Sequence, residues 1–337
     1  MKLLRNYEPA LRYGAKILPS DILGGMGTTG NIYYVVPSTE TFYNQFLSDN
    51  NYSYPDGTQS VYSTLLDAYN ACVTNRGDVI VMSGNTSHAL TTGILWAKNR
   101  ITVIGMGDSN RLFDQGTKIV NVVGDATAYV IKVTGTRNTF INLKFINVST
   151  VATSLTVAQD GAEGTLWENC SFEFSTTTNL GLTTAHEFLA GSDSATYIKC
   201  TFGTDTILTS GARSVFHIQS INGFEFKSNQ LQDCTFIISS SSATATFVRL
   251  NAITDILFNN TFDSCKFMAS VDTVGGIALT AGAIQTGTGV TKGCLNLAYP
   301  SVFNCGVSQA GSGFNTAVQV VAPTSAATAI KGIQPTA

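Results

Sequence analysis

The sequence predicts an all-β solenoid of stacked, parallel strands. Three observations carry this. A Cys-x-Phe unit recurs through the middle of the chain: Cys170-Ser171-Phe172, Cys200-Thr201-Phe202, Cys234-Thr235-Phe236 and Cys265-Lys266-Phe267. Only 12% of the 337 residues are charged, about half the usual share, and Gly, Ser, Thr and Asn fill the difference. Segments at both ends lack the repeat, as terminal parts of a stacked array do.

Extended to the left, each unit gains a large apolar residue three positions before the Cys: Trp167, Tyr197, Leu231 and Phe262. Phe140, Leu143 and Phe145 form a fifth copy with Leu in place of Cys. The central positions 143, 170, 200, 234 and 265 span 122 residues in four steps, a period of 30.5. Weaker copies are expected at Ile101, Ile104 and Met106 before, and at Val302, Cys305 and Val307 after.

Cys-x-Phe has period two, so both apolar groups share one strand face, and Ser171, Thr201, Thr235 and Lys266 point outward. The apolar residue three positions earlier has the wrong parity for that face. A sharp bend between them restores it to the inside. The residue before each central position is Asn142, Asn169, Lys199, Asp233 or Ser264. Asn and Asp tolerate the left-handed backbone region, which suits such a bend. One 30-residue unit cannot bury its own apolar face, whereas stacked copies can. Five clear copies plus looser ends predict seven to nine turns.

On these residues the chain resembles the right-handed parallel β-helix proteins of pectate-lyase type, over roughly residues 56–305. The opening Asp56-Gly57-Thr58 turn, a helix within 61–75 and the strand Asp78-Val79-Ile80-Val81 fit that resemblance. Val61, Leu65, Tyr69, Cys72 and Val73 carry the helical spacing, and Ile32–Val36 reads as a further strand. The expected divisions are an arm or docking segment at 1–54, a turn and capping helix at 55–75, the β-helix at 76–305 and an extension at 306–337.

The cysteines read as a buried thiol ladder. Zinc would want Cys-x-x-Cys pairs or interleaved His, and disulfides want converging Cβ atoms rather than parallel side chains. Arg76-Gly77-Asp78 is a chance match to an adhesion tripeptide. His88, His186 and His217 read as surface or turn residues. Asp205, Asp233 and Asp263 lie 28 and 30 residues apart, so they could stack as a carboxylate pair for glycan hydrolysis. The N-T-D, D-D, G-H-G and R-I-K signatures of polygalacturonase-like enzymes and the W-I-D-H of pectate lyases do not occur. Four glycosylation sequons, starting at Asn85, Asn147, Asn169 and Asn259, read as incidental. No catalytic, cofactor or metal site is therefore expected.

Charge and hydropathy exclude other classes. A net charge of −3 without a basic cluster argues against nucleic acid. No run of about 18 apolar residues predicts a membrane span. The first residues lack the apolar stretch of an export signal. An odd count of seven cysteines suits assembly in a reducing cytoplasm. The expectation is a non-enzymatic structural protein of a bacteriophage virion, assembled in the host cytoplasm. Within that class it is a homotrimeric capsid decoration or cement protein, binding a major capsid or other virion protein through its terminal extensions. The alternative is a tailspike or tail fibre that binds or cleaves a host glycan.

Overall fold

The computed structural model describes residues 30–107, 116–175, 185–211, 213–221, 223–250 and 259–270, with shorter strand segments from 256 to 321. Strands stack in parallel into three long sheets. The first has eleven strands, in the order Val61–Tyr62, Ile32–Val35, Val79–Met82, Thr102–Gly105, Thr139–Ile141, Leu166–Glu168, Thr196–Ile198, Gln230–Gln232, Asn259–Asp263, Cys294–Ala298 and Gln319–Val321. The second has eight on its main path, from Thr86–Leu90 to Ser301–Phe303. The third has seven, from Ile94–Trp96 to Ile284–Thr286. The chain visits the three in rotation, so each visit to all three is one turn of a parallel β-helix.

The register follows the repeat. Phe140, Trp167, Tyr197, Leu231 and Phe262 pair in one row. Phe145, Phe172, Phe202, Phe236 and Phe267 form a second row. Their rings lie 5.5, 5.4, 5.1 and 4.9 Å apart, each pair stacked. The bend between the rows is a single left-handed residue, with φ of 57°, 51°, 52°, 53° and 54° at Asn142, Asn169, Lys199, Asp233 and Ser264. The ladder continues through the corner. Asn142 N–H donates to Glu168, Asn169 to Ile198, Lys199 to Gln232 and Asp233 to Asp263, each at a main-chain oxygen. No backbone donor of this row is left inside the turn without a partner, which is what a buried bend requires.

Cys170, Cys200, Cys234 and Cys265 are buried and free. Each thiol reaches back one turn, to the main-chain oxygen of Phe140, Trp167, Tyr197 or Leu231, at 3.4–3.6 Å. Burial pushes the Cys170 thiol up to about 12. Ser171, Thr201 and Thr235 do sit opposite the Phe row, yet they are buried too. Their small side chains are closed over by neighbours on strands about 4.8 Å away.

Several expectations shift. The helix is shorter than 61–75: α2 runs Leu65–Ala71, while Val61–Tyr62 is a strand and Val73 is exposed. Thr64 caps it, its hydroxyl accepting from Asp67 N–H at 3.1 Å and donating to the Asp67 carboxylate at 2.6 Å. An unanticipated helix, α1 (Tyr43–Asn50), covers the outer face of the first sheet. Phe46 packs there with Ile32, Tyr34, Val79, Val81, Ile104 and Met106. The early weak copy is thus misplaced: Val103, not Ile101, pairs with Phe140, and Ile104 and Met106 face α1. In the late copy, Val302 pairs with Phe267 and Leu297 with Phe262, so Cys305 is off the ladder. Val307 lies outside the described residues, as do residues 1–29. Residues 32–50, placed by sequence in the arm, supply a strand of the first sheet and α1.

Candidate functional site

Outward positions of the third sheet follow from strand alternation. Ile131, Ala158, Phe188, Phe216 and Val248 pair in register and lie in the core. Their C-terminal neighbours Lys132, Gln159, Leu189, His217 and Arg249 pair in the same register on the outward side, where Lys132, Leu189 and Arg249 are half-buried and Gln159 and His217 are buried. This row mixes charge, amide, imidazole and one aliphatic group. Leu95 continues it at one end and is exposed.

His186 joins the row from the side. Its ring stacks on His217 with centroids 4.1 Å apart and planes at 23°. His186 Nδ1 lies 3.1 Å from the main-chain oxygen of Ser214. Burial drives His186 well below the usual imidazole range, with His217, Arg213 and Arg249 acting in the same direction. Burial also lowers His217, to about 4. Both rings are therefore neutral at pH 7.

Beside them Arg213 donates to both Glu187 oxygens, at 2.9 and 2.6 Å. Both side chains are buried, 1% and 0% exposed, so this pair is screened from salt. Burial raises the Glu187 carboxyl while Arg213 lowers it. Nearby, Lys144 pairs with Glu173 at 2.9 Å on the second sheet.

All three histidines are buried, contrary to the surface placement expected for them. His88 lies 3.0 Å from the Ser83 carbonyl and is lowered to about 4 by burial. Parity arguments could have found His217, which sits one residue past the core-facing Phe216. Arg213 and Glu187 carried no spacing signal.

The carboxylate stack that the spacing would allow does not form. Asp233 stands in the bend row and Asp263 in the row of Gln232, where it accepts from the Ser264 hydroxyl. Asp205 follows Phe202 at a different corner. Arg76-Gly77-Asp78 is a latch. Arg76 bonds Asp78 at 2.6 and 2.9 Å, Asp56 at 2.6 Å and the Tyr33 hydroxyl at 2.6 Å. Asp78 is fully buried and also accepts from the N–H groups of Asn31 and Val73. Among the described residues, no cluster of three or more His, Cys, Asp or Glu could hold a metal ion.

No protein-family model and no curated protein sequence matches the chain. Among solved structures it is similar to the pectin methylesterase from Aspergillus niger. The penultimately deglycosylated form gives a TM-score of 0.53 and the deglycosylated form 0.50. Each is 14% identical and covers 94% of this chain and 93% of that one. The chain is a right-handed parallel β-helix, the fold of these neighbours. At that identity the likeness is one of fold. These neighbours are enzymes, which corrects the expectation that the chain is not one. Missing polygalacturonase and pectate-lyase signatures do not set catalysis aside, because the methylesterases share the fold and are a different kind of enzyme.

Proposed function

We propose that the chain is a β-helix of a bacteriophage virion that engages a polysaccharide through the outer face of its third sheet. The row Lys132, Gln159, Leu189, His217 and Arg249 carries this reading. Neighbouring strands are about 4.8 Å apart, an interval comparable with the length of one sugar unit. An extended glycan along the solenoid axis would therefore meet Lys132, Leu189 and Arg249 at the surface, with donors from the two cations for its hydroxyl or carboxylate groups. Fold likeness to a polysaccharide-acting enzyme supports the glycan part. Five buried, unpaired thiols among the described residues support assembly in a reducing cytoplasm, as virion proteins are assembled.

The test is titration of the purified chain against host-surface polysaccharides at pH 7. Wild type should bind one of them saturably, and Lys132→Ala/Arg249→Ala should weaken that binding by about tenfold. Release of reducing ends or methanol in the same samples would show catalysis. Absence of binding by the wild type to any of them would overturn the reading.

One observation favours a second reading, capsid decoration or cement. Trp96 and Trp167 are both 0% exposed, so neither offers a stacking platform for a sugar, whereas Leu95, Val122 and Val123 are exposed apolar groups suited to protein contact. In that reading the terminal segments outside the strands of the first sheet and α1 bind the particle, and the chain is a homotrimer. Cryo-EM of the particle separates head from tail. A monomer by light scattering at micromolar concentration would sink the trimer.

A further inference from the structure

His186 and His217 make a contact that depends on their charge. At a ring separation of 4.1 Å, two imidazolium ions would repel across a poorly hydrated gap. The surrounding charges add to that repulsion. Arg213 leads into the strand that carries His217, and Arg249 stands in register with His217 on the next strand. Lys132, Gln159 and Leu189 occupy the three strands of the row that precede His217. The carboxylates nearby are committed: Glu187 to Arg213 and Glu173 to Lys144. His217 Nδ1 is buried with no hydrogen-bond partner. A side-chain hydrogen bond with Gln219 favours the charged ring, but a proton on Nδ1 would be a charged donor facing no acceptor, which favours movement of the ring toward solvent.

We propose that binding at this face is gated by protonation of the His186–His217 pair. The inference rests on the glycan-binding reading above. At neutral pH the rings are stacked and uncharged, and they close the middle of the row. In acid they part, and His217 turns toward solvent beside Arg249. The opened face gains positive charge between Gln159 and Arg249. Affinity for an anionic polysaccharide should then rise in acid, whereas affinity for a neutral one should not.

The experiment uses the full chain with dextran sulfate, whose charge is constant over the range, and uncharged dextran. Imidazole NMR of the wild type follows the two rings over the same pH range. Wild type should bind dextran sulfate about tenfold more tightly at pH 4.5 than at pH 7, from local charge focusing. His186→Gln and His217→Gln should flatten that dependence, and both rings should titrate together well below the free imidazole value. Equal pH dependence in the variants would assign the effect to net charge and overturn the gate. So would rings that titrate near 6.5. Wild type that binds neither polymer at either pH, with the rings still titrating as a low coupled pair, would count against the glycan face and leave the pair's linkage standing.

Discussion

Asp160 and Tyr197 meet inside the solenoid: the Tyr197 hydroxyl donates to Asp160 Oδ2 at 2.9 Å. Trp167 Nε1 donates to the same oxygen at 2.9 Å, and the Thr165 hydroxyl to the other at 3.2 Å. Ser192 lies 3.0 Å from the Tyr197 hydroxyl, extending the network. A carboxylate here has three side-chain donors and a main-chain bond from Ala162 but no cation, and burial raises its pKa to about 6.

The sign of the linkage follows. Asp160 has a folded pKa above its unfolded value of 3.8, so its contribution to stability is full below that value. That contribution is lost as pH rises through 6, by about 3 kcal/mol. The histidines act oppositely. Their folded values lie below the unfolded 6.5, so their contribution is full above it and lost as pH falls toward 4. Urea melts from pH 7 to 4.5 should therefore show Asp160→Asn losing an acid-side gain that partly masks the histidine loss. An unchanged difference between variant and wild type across that range would refute the linkage.

The thiol ladder predicts chemical silence. With Sγ buried and bonded to the preceding turn, native protein at pH 8 should leave Cys170, Cys200, Cys234 and Cys265 unlabelled by a thiol reagent. All four should react once the chain is unfolded. Cys200→Val should cost less than about 1.5 kcal/mol, because volume is nearly kept and only a weak donor is lost. Phe202→Ala should cost about 3–5 kcal/mol, since it opens a gap between Phe172 and Phe236. Comparable losses in the two variants would mean that the sulfur does more than fill space.

The repeat was legible because it obeys strand parity. Phe172 and Cys170 share a face by period two, and the odd offset of Trp167 demanded a bend, which Asn169 makes with φ of 51°. A second bend row was not seen. Arg100, Arg137, Gly164, Ser194 and Ser228 all have positive φ at the corner entering the first sheet. Their residue types are too varied to align, and only the ladder of main-chain bonds connects them. Parity also fails where an element covers the outer face: Ile104 is buried beneath α1, not in the core of the solenoid. Of the candidate site, the row position of His217 was within reach of the pattern. The Arg213–Glu187 pair was not, because it depends on a corner loop bringing 213 beside the preceding turn.

Lys199 occupies a left-handed bend that its neighbours fill with Asn142, Asn169 and Asp233. A Cβ-bearing residue without a short polar side chain is strained there by about 1–2 kcal/mol. Lys199→Asn or Lys199→Gly should raise the melting temperature slightly, and Lys199→Val should lower it. Equal effects of Gly and Val would show that the lysine is kept for contacts rather than tolerated for its backbone.

The Arg213–Glu187 pair separates a structural charge from a spare one. Removing one partner strands a buried ion, so Glu187→Ala or Arg213→Ala should each cost about 3–5 kcal/mol. Replacing both with apolar residues of similar size removes the desolvation penalty together with the attraction. Val157, between the partners of His186 and Phe188 on the preceding strand, is buried in the core, so an aliphatic residue fits that row. Glu187→Leu/Arg213→Met should therefore melt close to wild type, above either single alanine variant. If the double variant also loses the tight-binding state at pH 4.5 while keeping its melting temperature, the pair serves the glycan face by holding His186 in position. If binding is kept, the pair is a packing device of the corner alone.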